Sequence, residues 1–306
     1  MPVSDLGNGV HLIDLNFQGS PDVIAAYLVE DAGERALIET GPTSSLENLL
    51  AGLEEIDVAP ESIDKLLVTH IHLDHAGAAG TFMRRYPQAR LYVHERGAPH
   101  MIDPSRLLAS AQRIYGDQME PLWGAFEPVP AHRIEILTDE NSIQIGNRQL
   151  QALYTPGHAS HHVVYHDQSG AVFTGDVAAV RLPETDYVRP PTPPPDIDLE
   201  LWTQSIERVR NLHPNVLYLT HFGPFDDIEH HLQQAHDRLY DWADVVARAQ
   251  ASGQDRPEIV DTLRRHADRE LLALTNDAAL VERYELATPF GMTVDGYLRY
   301  FTKHPR

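Results

Sequence analysis

Cysteine is absent from this sequence of 306 residues. Its absence excludes disulfides, thiolate metal ligands and cysteine nucleophiles. Any metal site must therefore use histidine nitrogens and carboxylate oxygens, and 18 histidines are available for it.

Positive charge is scarce. The chain has 24 Lys and Arg residues against 45 Asp and Glu residues, which gives a formal net charge of −21. Nucleic-acid binding draws most of its affinity from Lys and Arg contacts with phosphates. We therefore expect no nucleic-acid partner and look to a small-molecule substrate.

Long apolar runs are also missing. None approaches the roughly 18 residues that a membrane span requires. The first fifteen residues contain Asp5 and Asp14 and lack a basic cluster followed by an apolar core, so we expect no signal peptide. These observations predict a cytoplasmic protein that makes no membrane contact. An apolar content of 42% is sufficient for one large domain or two modest ones.

The first third of the chain alternates strand and helix patterns. Apolar runs predict buried strands at residues 25–29 and 35–38. Ser44, with Glu47 three residues later, predicts a capping box at the start of an amphipathic helix. The apolar run 65–69 then predicts a strand that delivers His70 at its carboxyl end, which is where ligands gather in open α/β sheets.

Short strands separated by turns predict a sheet meander in the middle of the chain. The five predicted strands are residues 134–137, 142–145, 149–154, 163–166 and 171–174. The proline-rich segment 190–195 predicts an extended strap on the surface, because proline fixes φ and lacks an amide donor. The later elements that we predict are a helix from Asp198, a strand at 216–219, and helices over 228–249, 257–272 and 296–301.

Four potential metal ligands lie within six residues in the motif His70-Ile71-His72-Leu73-Asp74-His75. Such density directly after a strand favours a metal site over an exposed polar loop. Three further strand ends repeat the pattern, with His158 after Thr155-Pro156-Gly157, Asp176 after Thr174-Gly175, and His221 after Leu219-Thr220. Ligands at four strand ends predict one metal site at a sheet rim.

These patterns, HxHxDH, TPGH, TGD and a late His, resemble the metallo-beta-lactamase superfamily over about Val10 to Gly223. The resemblance is closest to its hydroxyacylglutathione hydrolase and lactonase branches. It implies an α/β fold, the four-layer αββα sandwich with a C-terminal helical extension. Residues 1–224 would form the catalytic domain and residues 225–306 the helical extension.

The resemblance also implies a centre of two zinc ions, with iron or manganese as alternatives. His70, His72 and His158 would hold the first ion; Asp74, His75 and His221 would hold the second; Asp176 would bridge them. The implied activity is cleavage of a small-molecule ester, lactone or thioester by a metal-bridging hydroxide. Asp74 would orient that hydroxide besides ligating metal.

Two positions depart from the family pattern. Glu39-Thr40-Gly41 stands where many members have Asp-Thr-Gly, and we expect the extra methylene of Glu39 to be tolerated. His161-His162 stands where a Gly-His pair is usual. Either histidine could lie near the substrate or be an ordinary surface or core residue.

Tyr187, Arg181 and His94 are weaker candidates. Tyr187 could donate a hydrogen bond to substrate or simply pack. Arg181 could bind an anionic substrate, although arginine side chains are usually exposed to solvent and we expect the same here. His94 could support the site or lie at the surface.

Two other functions stay open. Relatives with similar HxHxDH motifs use a single iron to oxidise persulfides with oxygen, and a non-catalytic metal-binding scaffold could retain the fold. The complete set of seven ligand positions argues against the scaffold. The helices beyond Phe225 could form a pocket wall or a homodimer face, and the sequence carries no signature for a particular acyl group.

Overall fold

The computed structural model describes residues 3–275 and 277–304. The chain forms two compact units. Unit 1 comprises Met1–Tyr154 and His161–Phe173, and unit 2 comprises Thr155–Ser160 and Thr174–Arg306. The division at residue 224 that the sequence suggests stays a prediction.

Unit 1 contains a seven-stranded sheet in the order β1-β2-β3-β4-β5-β6-β7. Its strands are β1 (Val3–Asp5), β2 (Val10–Asp14), β3 (Ala25–Asp31), β4 (Glu34–Ile38), β5 (Lys65–Leu67), β6 (Arg90–His94) and β7 (Ile134–Leu137). Strands β1 to β4 pair antiparallel, and β4 to β7 pair parallel. The parallel strands are joined by helical crossovers, as parallel pairing requires.

The second sheet of unit 1 is an antiparallel meander. Its strands are β8 (Asn141–Ile145), β9 (Arg148–Tyr154), β10 (Val163–Asp167) and β11 (Ala171–Gly175), of which unit 1 holds the first three residues of β11. The predicted meander is confirmed for these four strands. The prediction was wrong for β7, which pairs parallel with β6 instead. A short apolar strand carries no signal of the sheet that it joins.

The core of unit 1 lies between its two sheets. The rings of Tyr27 on β3 and Phe173 on β11 meet edge to face at 5.3 Å, and both are buried. Arg148 Nε lies 3.1 Å from a carboxylate oxygen of Asp167, and both side chains are nearly inaccessible to solvent. Buried aromatic and aliphatic groups each contribute about 1.5–3 kcal/mol to such a core.

Six α-helices belong to the described residues of unit 1. They are α1 (Leu46–Glu55), α2 (Leu73–Ala76), α3 (Ala79–Arg85), α4 (Ala98–Ile102), α5 (Ser105–Tyr115) and α6 (Met119–Trp123). Helix α1 packs against β2 through its predicted apolar face. The predicted capping box is wrong, because a 3₁₀ turn at Thr43–Ser45 precedes the helix. Ser44 Oγ donates instead to the carbonyl of Leu122 at 2.5 Å.

Unit 2 is mostly helical. It contains the antiparallel strands β12 (Val216–Leu219) and β13 (Gly223–Phe225), and the helices α7 (Leu199–Arg210), α8 (Ile228–Ala251), α9 (Arg256–Leu274), α10 (Ala278–Ala287) and α11 (Phe290–Lys303). Helix α8 packs against α7, α9 and α11. The Asp198 side chain caps α7 by accepting from the Leu201 amide, as the helix predicted from Asp198 requires. In the described part of the chain, no helix has the length and apolarity to cross a membrane.

The proline-rich strap forms neither helix nor strand. Its first residues, Pro190 to Thr192, are buried, so the prediction of a surface strap was wrong for this half. Thr192 Oγ1 donates to the Thr293 carbonyl at 3.2 Å. Residue 296 must be glycine, because a Cβ there would lie 1.8 Å from the Thr192 carbonyl oxygen. The close approach of α11 therefore covers the start of the strap.

Candidate metal centre

The HxHxDH segment lies at the carboxyl end of β5 in unit 1. The strand ends at Leu67, two residues earlier than predicted, and His72 stands at the N-cap position of α2. Asp74 and His75 therefore lie on the first turn of a helix, whereas His70 and His72 precede it. His70 and His75 are fully buried, and His72 and Asp74 are partly exposed.

Potential ligand atoms converge within this segment. His70 Nε2 and His72 Nδ1 face each other at 2.8 Å. The rings of His70 and His75 lie 4.0 Å apart, and His75 Nε2 is 3.7 Å from an oxygen of Asp74. The four potential ligand side chains of this segment therefore lie close together in unit 1.

Glu39 fixes which ring nitrogen carries the proton in two of these histidines. Its Oε1 accepts from Thr69 Oγ1 at 2.5 Å and lies 3.1 Å from His75 Nδ1, which must donate to it. Because the Thr69 hydroxyl gives its proton to Glu39, it accepts from His70 Nδ1, 3.0 Å away. Both histidines thus present an unprotonated Nε2, the form that binds a metal ion.

Three side chains from separate strand ends form the corresponding cluster in unit 2. His158 follows β9, Asp176 follows β11 and His221 follows β12, and all three are buried. Asp176 Oδ2 lies 3.2 Å from His158 Nε2, and its Oδ1 lies 3.5 Å from His221 Nε2. Each oxygen of one carboxylate therefore faces a different imidazole.

The proline strap orients His158. Its Nδ1 donates to the Pro191 carbonyl at 2.9 Å, so Nε2 of the neutral ring is unprotonated. Trp202 meets the ring edge to face at 5.2 Å. Residue 157 must be glycine, because its φ is +134° and a Cβ would lie 2.2 Å from the Trp202 backbone. The lone pair of His158 Nε2 and a carboxylate oxygen of Asp176 then face each other and repel. A cation between them would relieve this repulsion.

The Arg181 backbone holds the His221 segment. Its N–H donates to the His221 carbonyl at 2.7 Å, and its carbonyl accepts from the Phe222 amide at 3.1 Å. The expectation of an exposed Arg181 was wrong. Its buried guanidinium makes two hydrogen bonds, of 2.7 and 2.9 Å, to Asp227 and lies over the Phe225 ring. Asp227 neutralises the charge and so offsets the desolvation that burial causes.

Tyr187 and His94 are core residues. Tyr187 is buried in unit 2, and its hydroxyl lies 3.3 Å from Glu270 on α9; burial raises the pKa of Tyr187 well above its ordinary value. His94 is buried in unit 1 and stacks on Tyr154 at 4.4 Å, and burial lowers its pKa. The structure therefore shows a packing role for both side chains.

The adjacent pair His161 and His162 lies beside the HxHxDH segment. Their rings are 6.1 and 5.1 Å from the ring of His70, and His161 is 5.7 Å from His72. Both are buried, so neither is a surface histidine.

The donor set of each unit fits a divalent metal ion. Nδ1 of His70, His75 and His158 is occupied by a hydrogen-bond partner, which leaves Nε2 for a metal in each case. Such outer partners accompany most metal-binding histidines. Nitrogen and carboxylate donors without thiolates suit zinc, iron or manganese.

The model of the metallo-beta-lactamase superfamily matches residues 19–221, about two thirds of the sequence. The chain belongs to the metallo-beta-lactamase superfamily. The resemblance carried by its HxHxDH, TPGH and TGD motifs is thereby confirmed.

Relatives within the superfamily are distant. The chain is 26% identical over 232 residues to the metallo-beta-lactamase fold-containing protein ST1585 of Sulfurisphaera tokodaii, covering 74% of this chain and 84% of that protein. It is 25% identical over 217 residues to the atrochrysone carboxyl ACP thioesterase of Aspergillus fumigatus, covering 69% and 55%. It is 25% identical over 150 residues to the hydroxyacylglutathione hydrolase of Aeromonas salmonicida, covering 49% and 44%. The chain thus spans most of the first relative and about half the length of the other two.

Solved structures of the superfamily share the fold. The metallo-beta-lactamase family protein TTHA1429 of Thermus thermophilus aligns with a TM-score of 0.70 at 21% identity, covering 98% of this chain and 95% of that one. A beta-lactamase domain protein from Burkholderia ambifaria aligns with a TM-score of 0.66 at 17% identity, covering 99% and 89%. The predicted fold class is confirmed, with two mixed sheets flanked by helices and with helices at the C-terminus.

Sequence reasoning missed three groups that orient the ligands of this superfamily member: Thr69, the Pro191 carbonyl and the Arg181 backbone. Thr69 offered a usable signal, since a lone hydroxyl between an apolar strand and His70 is placed to contact the ring. The other two lie 33 and 40 residues along the chain from the ligands that they hold, and no local pattern links them.

Proposed function

We propose that this chain is a binuclear zinc-dependent hydrolase that cleaves a small-molecule ester, lactone or thioester. His70, His72 and His158 would hold the first zinc; Asp74, His75 and His221 would hold the second; Asp176 would be shared. The observation that carries the proposal is the Asp176 carboxylate, whose two oxygens face His158 and His221 separately.

Names of relatives support this class of reaction. Two of them are named as a thioesterase and a hydroxyacylglutathione hydrolase. A third, 26% identical over 167 residues, is named a probable polyketide biosynthesis zinc-dependent hydrolase, PksB of Bacillus subtilis. Zinc at such a centre supplies an activated water at neutral pH and polarises the scissile carbonyl.

The residues of the chain would prepare this chemistry. Glu39, directly and through Thr69, keeps Nε2 of His75 and His70 unprotonated. Asp74 is partly exposed on the first turn of α2, where its carboxylate could accept a proton from the attacking water. A homodimer and a cytoplasmic location stay predictions.

The first experiment combines elemental analysis with a screen of lactones, aryl esters and glutathione thioesters. We expect close to two zinc ions per chain and turnover of one of these classes. His72→Ala should lose metal and turnover because it removes a proposed ligand. His236→Ala is the matched control, because His236 is a partly exposed histidine on α8 that pairs with its neighbour Asp237.

Other outcomes would overturn the proposal in distinct ways. One iron per chain, with oxygen uptake on a persulfide and no hydrolysis, would indicate a dioxygenase. Metal without turnover of any class would indicate a binding scaffold. Equal losses in His72→Ala and His236→Ala would show that the assay does not report on the proposed site.

A further inference from the structure

An open groove of about 380 Å³ runs between α8 and α9 in unit 2. Val245, Arg248 and Ala249 of α8 line it together with Ser252, the C-cap residue of this helix, at the spacing i, i+3, i+4 and i+7. The α9 residues, with the same spacing, are Thr262, Arg265, His266 and Arg269. Because this spacing places side chains on one face of a helix, the two faces meet along the length of the groove.

Three arginines of the groove lack carboxylate partners. Arg248, Arg265 and Arg269 are exposed and form no ion pair within residues 3–275 and 277–304. Arg106 and Arg113 on α5 are also exposed without ion pairs in the described part of the chain, but Arg248, Arg265 and Arg269 all line one groove. Two arginines elsewhere on the same helices are paired, Arg238 with Glu270 and Arg264 with Asp261.

The carboxylates beside His266 do not neutralise these arginines. Asp241 pairs with His266 Nε2 at 2.6 Å. Glu270 Oε1 is 3.8 Å from the same nitrogen, and its Oε2 is 3.2 Å from Arg238 Nε. His266, Asp241 and Glu270 have the composition of a metal site, but Arg238 already pairs with Glu270 and the neighbouring arginines oppose a cation. The charge of the groove suits an anion.

We infer that this groove binds a small phosphate-bearing molecule. Guanidinium groups hold phosphate oxygens through paired N–H donors, which makes arginine a better phosphate ligand than a point charge. Arg265 Nη2 donates to Thr262 Oγ1 at 3.2 Å, which orients this side chain along the groove. The groove is larger than one phosphate ion, and Val245 and Ala249 give it an apolar floor for the rest of the ligand.

Gln254 adds a neutral donor at the same place. Its Oε1 accepts from Thr262 Oγ1 at 2.8 Å, so its amide nitrogen faces away from that bond with two hydrogens to donate. A long nucleic acid would extend beyond these few arginines. The chain has a net charge of −21 and would repel it there. The arrangement therefore favours a compact ligand.

The test is calorimetric titration of the purified, metal-replete chain with pyrophosphate and with inorganic phosphate in low-salt buffer. The groove variant is Arg265→Gln with Arg269→Gln. The control variant is Arg106→Gln with Arg113→Gln, which removes the same charge from two exposed α5 arginines without ion pairs in the described part of the chain. A third variant, His72→Ala, removes a proposed metal ligand and reports on pyrophosphate bound at the metal centre.

We expect pyrophosphate to bind the wild type, the control variant and His72→Ala alike. The groove variant should bind it roughly tenfold more weakly or worse, because two charged donors are gone. Absence of binding to the wild type would overturn the inference. So would equal weakening in the control variant, or binding that is lost in His72→Ala and kept in the groove variant. Unfolding midpoints of all variants establish that each is folded.

Discussion

The two ligand clusters are built in opposite ways. In unit 1, four potential ligands come from the single segment His70–His75, and one carboxylate, Glu39, controls two of the rings. In unit 2, the three potential ligands come from three strand ends. Each of these segments has its own anchor: the Pro191 carbonyl for His158, the Arg181 backbone for His221, and His231 for the residues after Asp176.

The two clusters therefore differ in how many ligands depend on one supporting group. A change at Glu39 disturbs two rings at once, since it withdraws an acceptor from His75 and from Thr69. A change at any one anchor of unit 2 should disturb one ligand and leave the other two in place. Asp176 is the exception in unit 2, because both histidines there face its carboxylate.

The largest effect is expected at Asp176. Asp176→Asn keeps the size of the side chain but places an amide nitrogen against one histidine, so one of the two proposed metal positions would lose one of its ligands. We expect kcat/KM for the substrate found in the screen to fall by roughly 1,000-fold, together with a loss of bound metal. Asp196→Asn is the control, because Asp196 is a carboxylate of the same unit that accepts from Ser160. Activity within tenfold of the wild type would refute the role of Asp176.

A pH-dependent loss of stability is expected next, at His231. The side chain is fully buried and its Nε2 donates to the Ala178 carbonyl at 2.7 Å. Burial lowers the pKa of His231 to about 4, and the bond to Ala178 opposes this only in part. Since the pKa is about 6.5 when the chain is unfolded, the unfolded state binds more protons at acid pH. Stability should therefore fall as the pH drops from about 6.5 towards about 4.

The size of this loss is on the order of 3 kcal/mol at the acid end. The measurement is the free energy of unfolding in urea between pH 7 and pH 4. His231→Gln can keep a donor for Ala178 but does not titrate, so its stability should fall less over the same range. Identical slopes for the two proteins would contradict the assignment. Activity at neutral pH should change little, because the glutamine can keep the bond to the Ala178 carbonyl.

The smallest of the three effects is expected at Glu39, and it tests the shared carboxylate of unit 1. Glu39→Gln keeps the length of the side chain, but its amide nitrogen cannot accept a hydrogen bond. If the amide oxygen keeps the bonds from Thr69 Oγ1 and His75 Nδ1, the nitrogen faces the Thr69 backbone N–H, which donates to Glu39 Oε2 at 3.3 Å. We expect the affinity for the proposed zinc, measured by chelator competition, to fall about 10–100-fold. Glu30→Gln is the control, because Glu30 pairs with Arg35 away from these histidines. An unchanged affinity would show that unit 1 does not depend on this carboxylate.

Much of the candidate site could be predicted because its ligands follow strands. The segment His70–His75 is contiguous, and the apolar run before it marks a strand even though that strand ends early, at Leu67. His158, Asp176 and His221 each follow an apolar run as well. Patterns of this kind involve neighbouring residues, so they can be recognised in a single sequence.

The parts that could not be predicted depend on distant partners. Arg181 is buried because Asp227, 46 residues later, pairs with it, and nothing near Arg181 indicates this. Ser44 fails as a cap because the chain forms a 3₁₀ turn first and Ser44 bonds to Leu122 instead. The strap at Pro190 to Thr192 is buried because α11 lies against it. Each outcome is set by tertiary packing.

Trp202 gives this molecule an optical reporter of its own. Its indole lies edge-on to His158, and its Nε1 donates to the carbonyl of Val177, the residue after Asp176. The chain has three tryptophans, and the other two, Trp123 and Trp242, pack on other aromatic rings. Indole emission responds to nearby charge. A metal titration followed by tryptophan fluorescence should therefore detect metal binding at the unit 2 cluster without any added label.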